Sequence, residues 1–492
     1  MKKLSTKRSF CFMQHGSFLA GCLLFMFFAL GLLPCLGTAP AWAALPGPGG
    51  GNGTETSPYV ITTAEELAWL AGITNYEASQ APTNEAWRNM HYKLGNDIDL
   101  GGYSNWEPIG AFGGVFDGNY KTISNLTINK FAFDVGLFGS VGRFFVMLPT
   151  PGYTPATVKN LYLSNVNIIG GYIVGCVAGL NSFGGTVDNC HVTGSVTAIS
   201  REAGGVAGCN YGTLRNCRFT GSVKSNLTVA GGVAGYNVNA GNVQNCQATG
   251  SVRAIIREAG GVVGYNERGM VDNSHFTGSV TSKTRAGGVV GYNNDAVINC
   301  YAAGSVTANS EAGGVVGKMG KMDYSQGEVL SCHAASSVKA NERAGGVVGD
   351  NEDCTVLLCY ATGNVTAGNE AGGVVGRSSG MVQLCYATGR VEADERAGGV
   401  VGYIYNNGTV LTCYATGDVI ADNDVGGVAG HNESGTVRYC YATCYIEAVN
   451  GVGGVAGRNE NGGTVQGCVA LNESVKGATN VGRVAGINTQ CH

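Results

Sequence analysis

Ala259-Gly260-Gly261-Val262-Val263-Gly264-Tyr265-Asn266 recurs almost unchanged as Ala397-Gly398-Gly399-Val400-Val401-Gly402-Tyr403. Between successive copies lies a second phrase, such as Cys300-Tyr301-Ala302-Ala303-Gly304-Ser305-Val306. A ruler runs through that phrase: Cys190, Cys217, Cys246, Ser274, Cys300, Cys332, Cys359, Cys385, Cys413, Cys440 and Cys468, spaced by 26 to 32 residues. Three residues before each position stands an aliphatic, from Val187 to Val465. Six residues after it stands Val or Ile, from Val196 to Ile446. Weaker copies upstream put Leu161 and Leu126 in the Cys slot, with Ile123 as the aliphatic of the second, giving thirteen copies in all.

One such unit cannot bury its apolar side alone, whereas stacked copies bury a continuous core. Each unit carries four or more Gly and few helix formers, which argues against helical repeats. After the Cys slot the apolar period is near two, the mark of a strand with one inward face. The aliphatic three residues earlier has the wrong parity, so a bend is expected at the residue before the Cys. That residue is Asn in five successive copies, Asn189, Asn216, Asn245, Asn273 and Asn299, and Asn suits bends. The residue before each Ala-Gly-Gly or Val-Gly-Gly alternates in sign: Glu258, Arg285, Glu311, Arg343, Glu370, Arg396, Asp424. Stacked at the strand spacing of about 4.8 Å, like charges would repel and alternating ones form a ladder. Successive repeats are therefore direct neighbours, one coil per repeat. The column is read as an exposed structural ladder that sets register. The expected fold is all-β, a right-handed parallel β-helix of about 13 coils of 26–35 residues, with a small N-terminal cap containing a short helix.

Gly accounts for 81 of 492 residues, without the every-third spacing of collagen, and 44% apolar content is too high for disorder. Lys2, Lys3, Lys7 and Arg8 precede an apolar run from Phe18 to Leu36 and then Ala41-Trp42-Ala43, the pattern of a cleaved export signal over residues 1–43. The protein is accordingly expected to be exported, secreted or cell-surface associated, and to meet a membrane only through this segment if it stays uncleaved. Loss of the signal moves the formal net charge from −4 to −8, a poor match for nucleic acid. Residues 44–56 read as a Gly/Pro-rich linker, 57–112 as the cap region and 113–492 as the β-helix. In the cap, Thr63 and Glu66 have capping-box spacing. Insertions at 142–156 and 318–328 break the rhythm and are candidate binding loops.

The Gly-Gly-Val-Val-Gly-Tyr-Asn block and the Cys-Tyr-Ala-Thr-Gly-x-Val phrase resemble the GLUG repeat of bacterial surface proteins. The upstream segments Asn96-Asp97-Ile98-Asp99-Leu100, Trp106-Glu107-Pro108-Ile109-Gly110 and Phe116-Asp117-Gly118-Asn119-Tyr120-Lys121-Thr122-Ile123 resemble the region that precedes those repeats. The resemblance implies exported, adhesin-like proteins and accessory regions of surface peptidases. It supplies no catalytic residue to carry over.

No enzymatic activity, cofactor or metal is expected. The sequence has no His-Glu-x-x-His or P-loop motif. Cys190-His191 and Cys332-His333 are adjacent on strands and so face opposite ways. Asp97, Asp99, Glu107 and Asp117 form the one acidic cluster outside the alternating column, and its position suggests a structural role. The residue after the ladder Cys should face solvent, and four consecutive copies present Tyr360, Tyr386, Tyr414 and Tyr441, flanked by Thr362, Thr388, Thr416 and Thr443. Such a stripe can stack on sugar rings or peptide side chains, or serve strand stacking alone. These eight residues are the candidate ligand-binding set, with a glycan, a cell-wall polymer or a host matrix protein as partner. The alternatives are a stalk or matrix component without a dedicated ligand, and a carbohydrate-active β-helix enzyme.

Without the signal, fifteen Cys remain. Stacked in register, their Cβ atoms would sit about 4.8 Å apart, too far for a disulfide at roughly 3.8 Å, so the ladder should be buried thiols. Cys354 and Cys444 lie off the ladder and are the better disulfide candidates. Thiol counting on denatured, unreduced protein should find the ladder Cys reactive, and their absence from the count would overturn the assignment.

Overall fold

The computed structural model describes residues 45–79, 87–142, 155–320 and 327–489. The expected export signal over residues 1–43 and most of both inserted segments lie outside these residues. The fold is a parallel β-solenoid of about 14 turns, and every strand pairs in parallel with its counterpart in the next coil. One coil consists of Met270–Asp272, His275–Ser282, Arg285–Gly287 and Val290–Asn293. The first two lie in one long sheet of 33 strands, the third in a 12-stranded sheet and the fourth in a 14-stranded sheet.

The bend falls where the parity argument puts it. The residue before the Cys slot has a left-handed backbone in coil after coil: φ is 52° at Asn189, 54° at Asn245 and 53° at Asn299. This turn lets the aliphatic three residues earlier and the Cys both point inward, and Val187, Cys190, Val243 and Cys246 are fully buried. Asn accepts this conformation because its short side chain bonds locally. Here it also bonds along the stack: Asn189 Nδ2 donates to Asn160 Oδ1 at 2.9 Å, and Asn273 Nδ2 to Asn245 Oδ1 at 2.7 Å. From coil to coil the column then changes to Ser331, Leu358, Leu384, Thr412 and Tyr439, all with φ between 53° and 55°, before Gly467. For such side chains the left-handed state costs about 1–2 kcal/mol each.

The Gly-Gly pairs stand where no side chain fits. A Cβ on Gly260 would lie 1.8 Å from the Val263 carbonyl oxygen, and one on Gly261 would lie 2.0 Å from the Gly288 carbonyl oxygen of the next coil. A second, interior ladder follows this corner. Asn181, Asn210, Asn237, Asn266 and Asn293 are fully buried, and each Nδ2 donates to the next Oδ1 at 2.7 or 2.8 Å. The spare amide proton goes to a turn carbonyl, as from Asn266 to Gly269 at 2.7 Å. Met319 interrupts this column before Asn351, Ser378 and Ile404 follow, and it resumes with Asn432 and Asn459.

The thiol column runs from Cys190 to Cys468 with one interruption, the buried Ser274, whose Oγ accepts from Cys246 N at 3.1 Å. The Cys332, Cys359 and Cys385 amides each donate to the sulfur of the next ladder Cys at 3.4 Å, and the ladder cysteines carry no disulfide. Cys444 is also a buried thiol, bonded by Asn472 Nδ2.

Two expectations change near the N-terminus. The structure has one more turn than the ruler counts, because His91–Leu94, Ile98–Asp99 and Ile109–Phe112 already form a coil. In the next coil, Phe116 rather than Ile123 stacks on Val158 in the aliphatic column, and Ile123 stacks on Leu163. A bulge at Asp117–Lys121, with Asn119 and Tyr120 left-handed, makes the shift. The cap helix spans Ala64–Ser79 and opens with a reciprocal capping box, Glu66 N to Thr63 Oγ1 at 3.3 Å and Thr63 N to Glu66 Oε2 at 3.2 Å. It packs on the Ile109–Phe112 strand, where Gly110 N donates to Thr74 Oγ1 at 3.0 Å.

Asn245→Leu should destabilise the protein by about 1–2 kcal/mol in urea unfolding. An unchanged midpoint would mean that the bend does not need a left-handed-tolerant residue.

Candidate functional site

The four tyrosines come together as one stack. Tyr360, Tyr386, Tyr414 and Tyr441 are in register on successive coils. Neighbouring ring centroids are 4.9 Å apart and the planes differ by only 4°. His333 extends the stack at 4.0 Å from Tyr360, and Tyr301 follows at 4.9 Å from His333. Thr362, Thr388 and Thr416 are exposed beside the stack, and Thr443 is half-buried. One part of the sequence reading needs correction. Rings stacked this closely cover one another's faces, so a ligand meets ring edges and hydroxyls rather than π-faces. Burial and its neighbours Tyr360 and Tyr414 raise the Tyr386 phenol above its ordinary range, which keeps the hydroxyl a donor.

Sequence reasoning missed a second ridge. In the same four coils the bend residues are Leu358, Leu384, Thr412 and Tyr439, and Leu358, Leu384 and Tyr439 are 49%, 44% and 58% exposed. A groove of about 260 Å³ runs between the ridges. Leu384, Thr412 and Tyr439 form one wall, Tyr414 and Tyr441 the other, and Cys385 and Cys413 the floor. The signal was present in the sequence: the Asn of the bend column gives way to Leu where the solvent column turns to consecutive Tyr.

The alternating charges form a continuous chain of ion pairs. Arg285 bonds Glu258 at 2.7 Å and lies 3.6 Å from Glu311. Arg343 reaches Glu311 at 2.8 Å and Glu370 at 3.3 Å, and Arg396 bonds Glu370 at 3.0 Å. Two corrections follow. The acids are buried, with Glu258 fully so, because a column from the 14-stranded sheet lies over them. Arg285 sits over the Tyr292 ring and Arg396 over Tyr403. Asp350, fully buried, gathers Lys318, Arg343 and Arg377, each at 3.5 Å. Asp424 leaves the column: Arg396 stands opposite Asn423, the register shifts there, and Asp424 instead pairs with Arg458 at 3.0 Å. Burial raises the carboxyls of Glu258, Glu311, Glu370 and Asp350, against the pull of the surrounding cations.

The N-terminal acids each have local partners. Asp97 accepts from Thr122 N at 2.8 Å and Asp99 from Asn125 Nδ2 at 2.7 Å. Glu107 pairs with Lys130 at 2.5 Å, and Asp117 accepts from Asn119 N at 2.8 Å.

The model of the GLUG motif matches residues 200–224, 226–253, 257–281, 283–307 and 393–420. Each matched stretch carries the Gly-Gly corner or the strand leading to it. The chain carries GLUG repeats within residues 200–420. Over 164 residues it is 31% identical to halomucin of Haloquadratum walsbyi, covering 32% of this chain and 2% of that protein. Over 197 residues it is 29% identical to a protein of Evansella cellulosilytica provisionally named a Gly-rich membrane protein, covering 36% of this chain and 19% of that one. Among solved structures, a protein of Bacteroides ovatus provisionally named an immunoglobulin A1 protease is 21% identical, with a TM-score of 0.42, over 59% of this chain and 86% of its own. An IgA1 protease is 13% identical, with a TM-score of 0.25, over 77% of this chain and 21% of its own.

Arg343 is the cation shared by Glu311, Glu370 and Asp350. A buried carboxyl with a raised pKa favours the fold while protonated and disfavours it once charged. Arg343→Met should therefore cost about 3–5 kcal/mol at pH 8. The loss should shrink as the pH falls toward 4.5, where these acids take up protons. Urea unfolding at both pH values tests this, and an equal loss at both would refute it.

Proposed function

We propose that this GLUG-repeat protein is exported and acts, without catalysis, as an adhesin-like β-helix that holds a glycan or another cell-surface polymer along the face of Tyr360, Tyr386, Tyr414 and Tyr441. The observation that carries the proposal is the in-register run of these four rings beside a row of Thr hydroxyls. A polymer meets the same chemistry on every coil, so many weak contacts add along one rigid scaffold. The names of the relatives, a halomucin and a Gly-rich membrane protein, agree with a place at the cell surface. The non-catalytic assignment rests on the acids of the charged corner, which alternate with arginines instead of facing one another as an acid and base would.

The regular stacking of thiols, amides and charges through the coils equally suits a stalk or matrix component. Binding separates the two. The exported protein is applied to an array of glycans and matrix proteins, beside a variant with all four tyrosines changed to Ser. Retention by the wild type and a loss of about tenfold or more in the variant is the expected result. Binding by neither protein would favour the stalk, and equal binding by both would move the site elsewhere on the chain.

A further inference from the structure

The left-handed bend can be made at little cost, and this chain does so repeatedly. Asn160, Asn189, Asn216, Asn245, Asn273 and Asn299 make it upstream, and Gly467 makes it in the last coil. Five adjacent coils depart from this: after Ser331, four of them place the larger Leu358, Leu384, Thr412 and Tyr439 in the same backbone conformation. Leu, Thr and Tyr are poorly suited to it, and exposed Leu358, Leu384 and Tyr439 gain little burial in return. Folding alone does not account for them, and strain held at an exposed site is a mark of function. They occupy the same four coils that carry Tyr360, Tyr386, Tyr414 and Tyr441, and Leu384, Thr412 and Tyr439 of the one row and Tyr414 and Tyr441 of the other enclose the groove floored by Cys385 and Cys413.

The groove also limits what can lie in it. The bend row, the tyrosine row and the row of Thr362, Thr388, Thr416 and Thr443 contain no charged side chain. An anionic polymer would be met by Arg or Lys, and none stands there. A peptide strand added by backbone pairing needs an open sheet edge, yet these strands are paired on both sides by neighbouring coils. One wall offers mainly carbon, from Leu358, Leu384 and the Tyr439 ring with the Thr412 and Tyr439 hydroxyls among it, and the other offers ring edges and hydroxyls repeating every 4.9 Å. The fitting occupant is extended, uncharged and two-sided, with apolar C–H faces and hydroxyl edges.

Resting on the reading of the tyrosine face as a polymer site, we infer that Leu358, Leu384, Thr412 and Tyr439 form its second wall and that the groove takes a neutral, β-linked polysaccharide laid along the solenoid axis. Sugar C–H faces pack on Leu358, Leu384 and Tyr439, and sugar hydroxyls bond the phenols and Thr side chains.

The test uses the full exported chain in depletion assays on cellulose and chitin, with polygalacturonate as the anionic probe and a matrix-protein panel alongside. One variant restores the upstream solution: Leu358→Asn, Leu384→Asn, Thr412→Asn and Tyr439→Asn. A second carries the four Tyr→Ser changes. The expected result is wild-type binding to a neutral probe, weakened about tenfold or more in each variant, while the Asn variant melts at or above the wild-type temperature. Asn-variant binding equal to wild type, with loss only in the Ser variant, would remove the second wall but keep the tyrosine face. Binding to polygalacturonate or matrix protein alone would overturn the neutral polysaccharide and leave the polymer reading standing. Binding to no probe would overturn both. A lower melting temperature in the Asn variant would show that the four residues serve the fold, and the inference would fall. If that variant does not fold, the pair Leu384→Asn and Tyr439→Asn is judged by the same outcomes.

Discussion

Outside a few register shifts, each side chain in the strands sits about one strand spacing, 4.8 Å, from the same position in the next coil. That constraint decides which residues each column can hold. A column of one charge would be repelled, so Glu258, Arg285, Glu311, Arg343, Glu370 and Arg396 alternate. A buried column of amides satisfies itself, because each Asn offers a donor to one neighbour and an acceptor to the other, as from Asn181 to Asn293. Tyrosines so stacked turn their edges outward.

The same constraint explains what could be read from sequence. Properties that depend on a residue and its own counterparts were legible: coil spacing, bend position, inward strand face and the order of the charge column. The bend followed from a parity conflict between Val187 and Cys190 and lies at Asn189. Properties that depend on two different columns meeting were not. The burial of Glu258 and Glu370 comes from the column of Tyr292, Asp350 and Tyr403, which belongs to another sheet. The departure of Asp424 comes from one local shift, and the phrase around Ile123 keeps the ruler's spacing while a bulge moves its register. The buried Asn column was visible as an Asn recurring two residues after Gly, from Asn181 to Asn293, but its inward direction emerges only with the corner that precedes it.

The candidate face shows the opposite side of such regularity. Across most of the array the bend is filled by residues that suit it, and stability and repetition agree. At Leu358, Leu384 and Tyr439 they part, and the exposed side chains sit beside the tyrosines. A repeat protein can bear local strain of this kind because each coil is held by the coils on both sides.

The alternating charge column also bears on how such an array can change its length. Deleting or duplicating one repeat between Glu258 and Arg396 would set two like charges side by side in a buried corner. Deleting or duplicating two would restore the alternation with every other column intact. Repeats in this part of the chain are thus interchangeable in pairs, and the corner keeps a parity that the strands, the thiols and the amides do not impose.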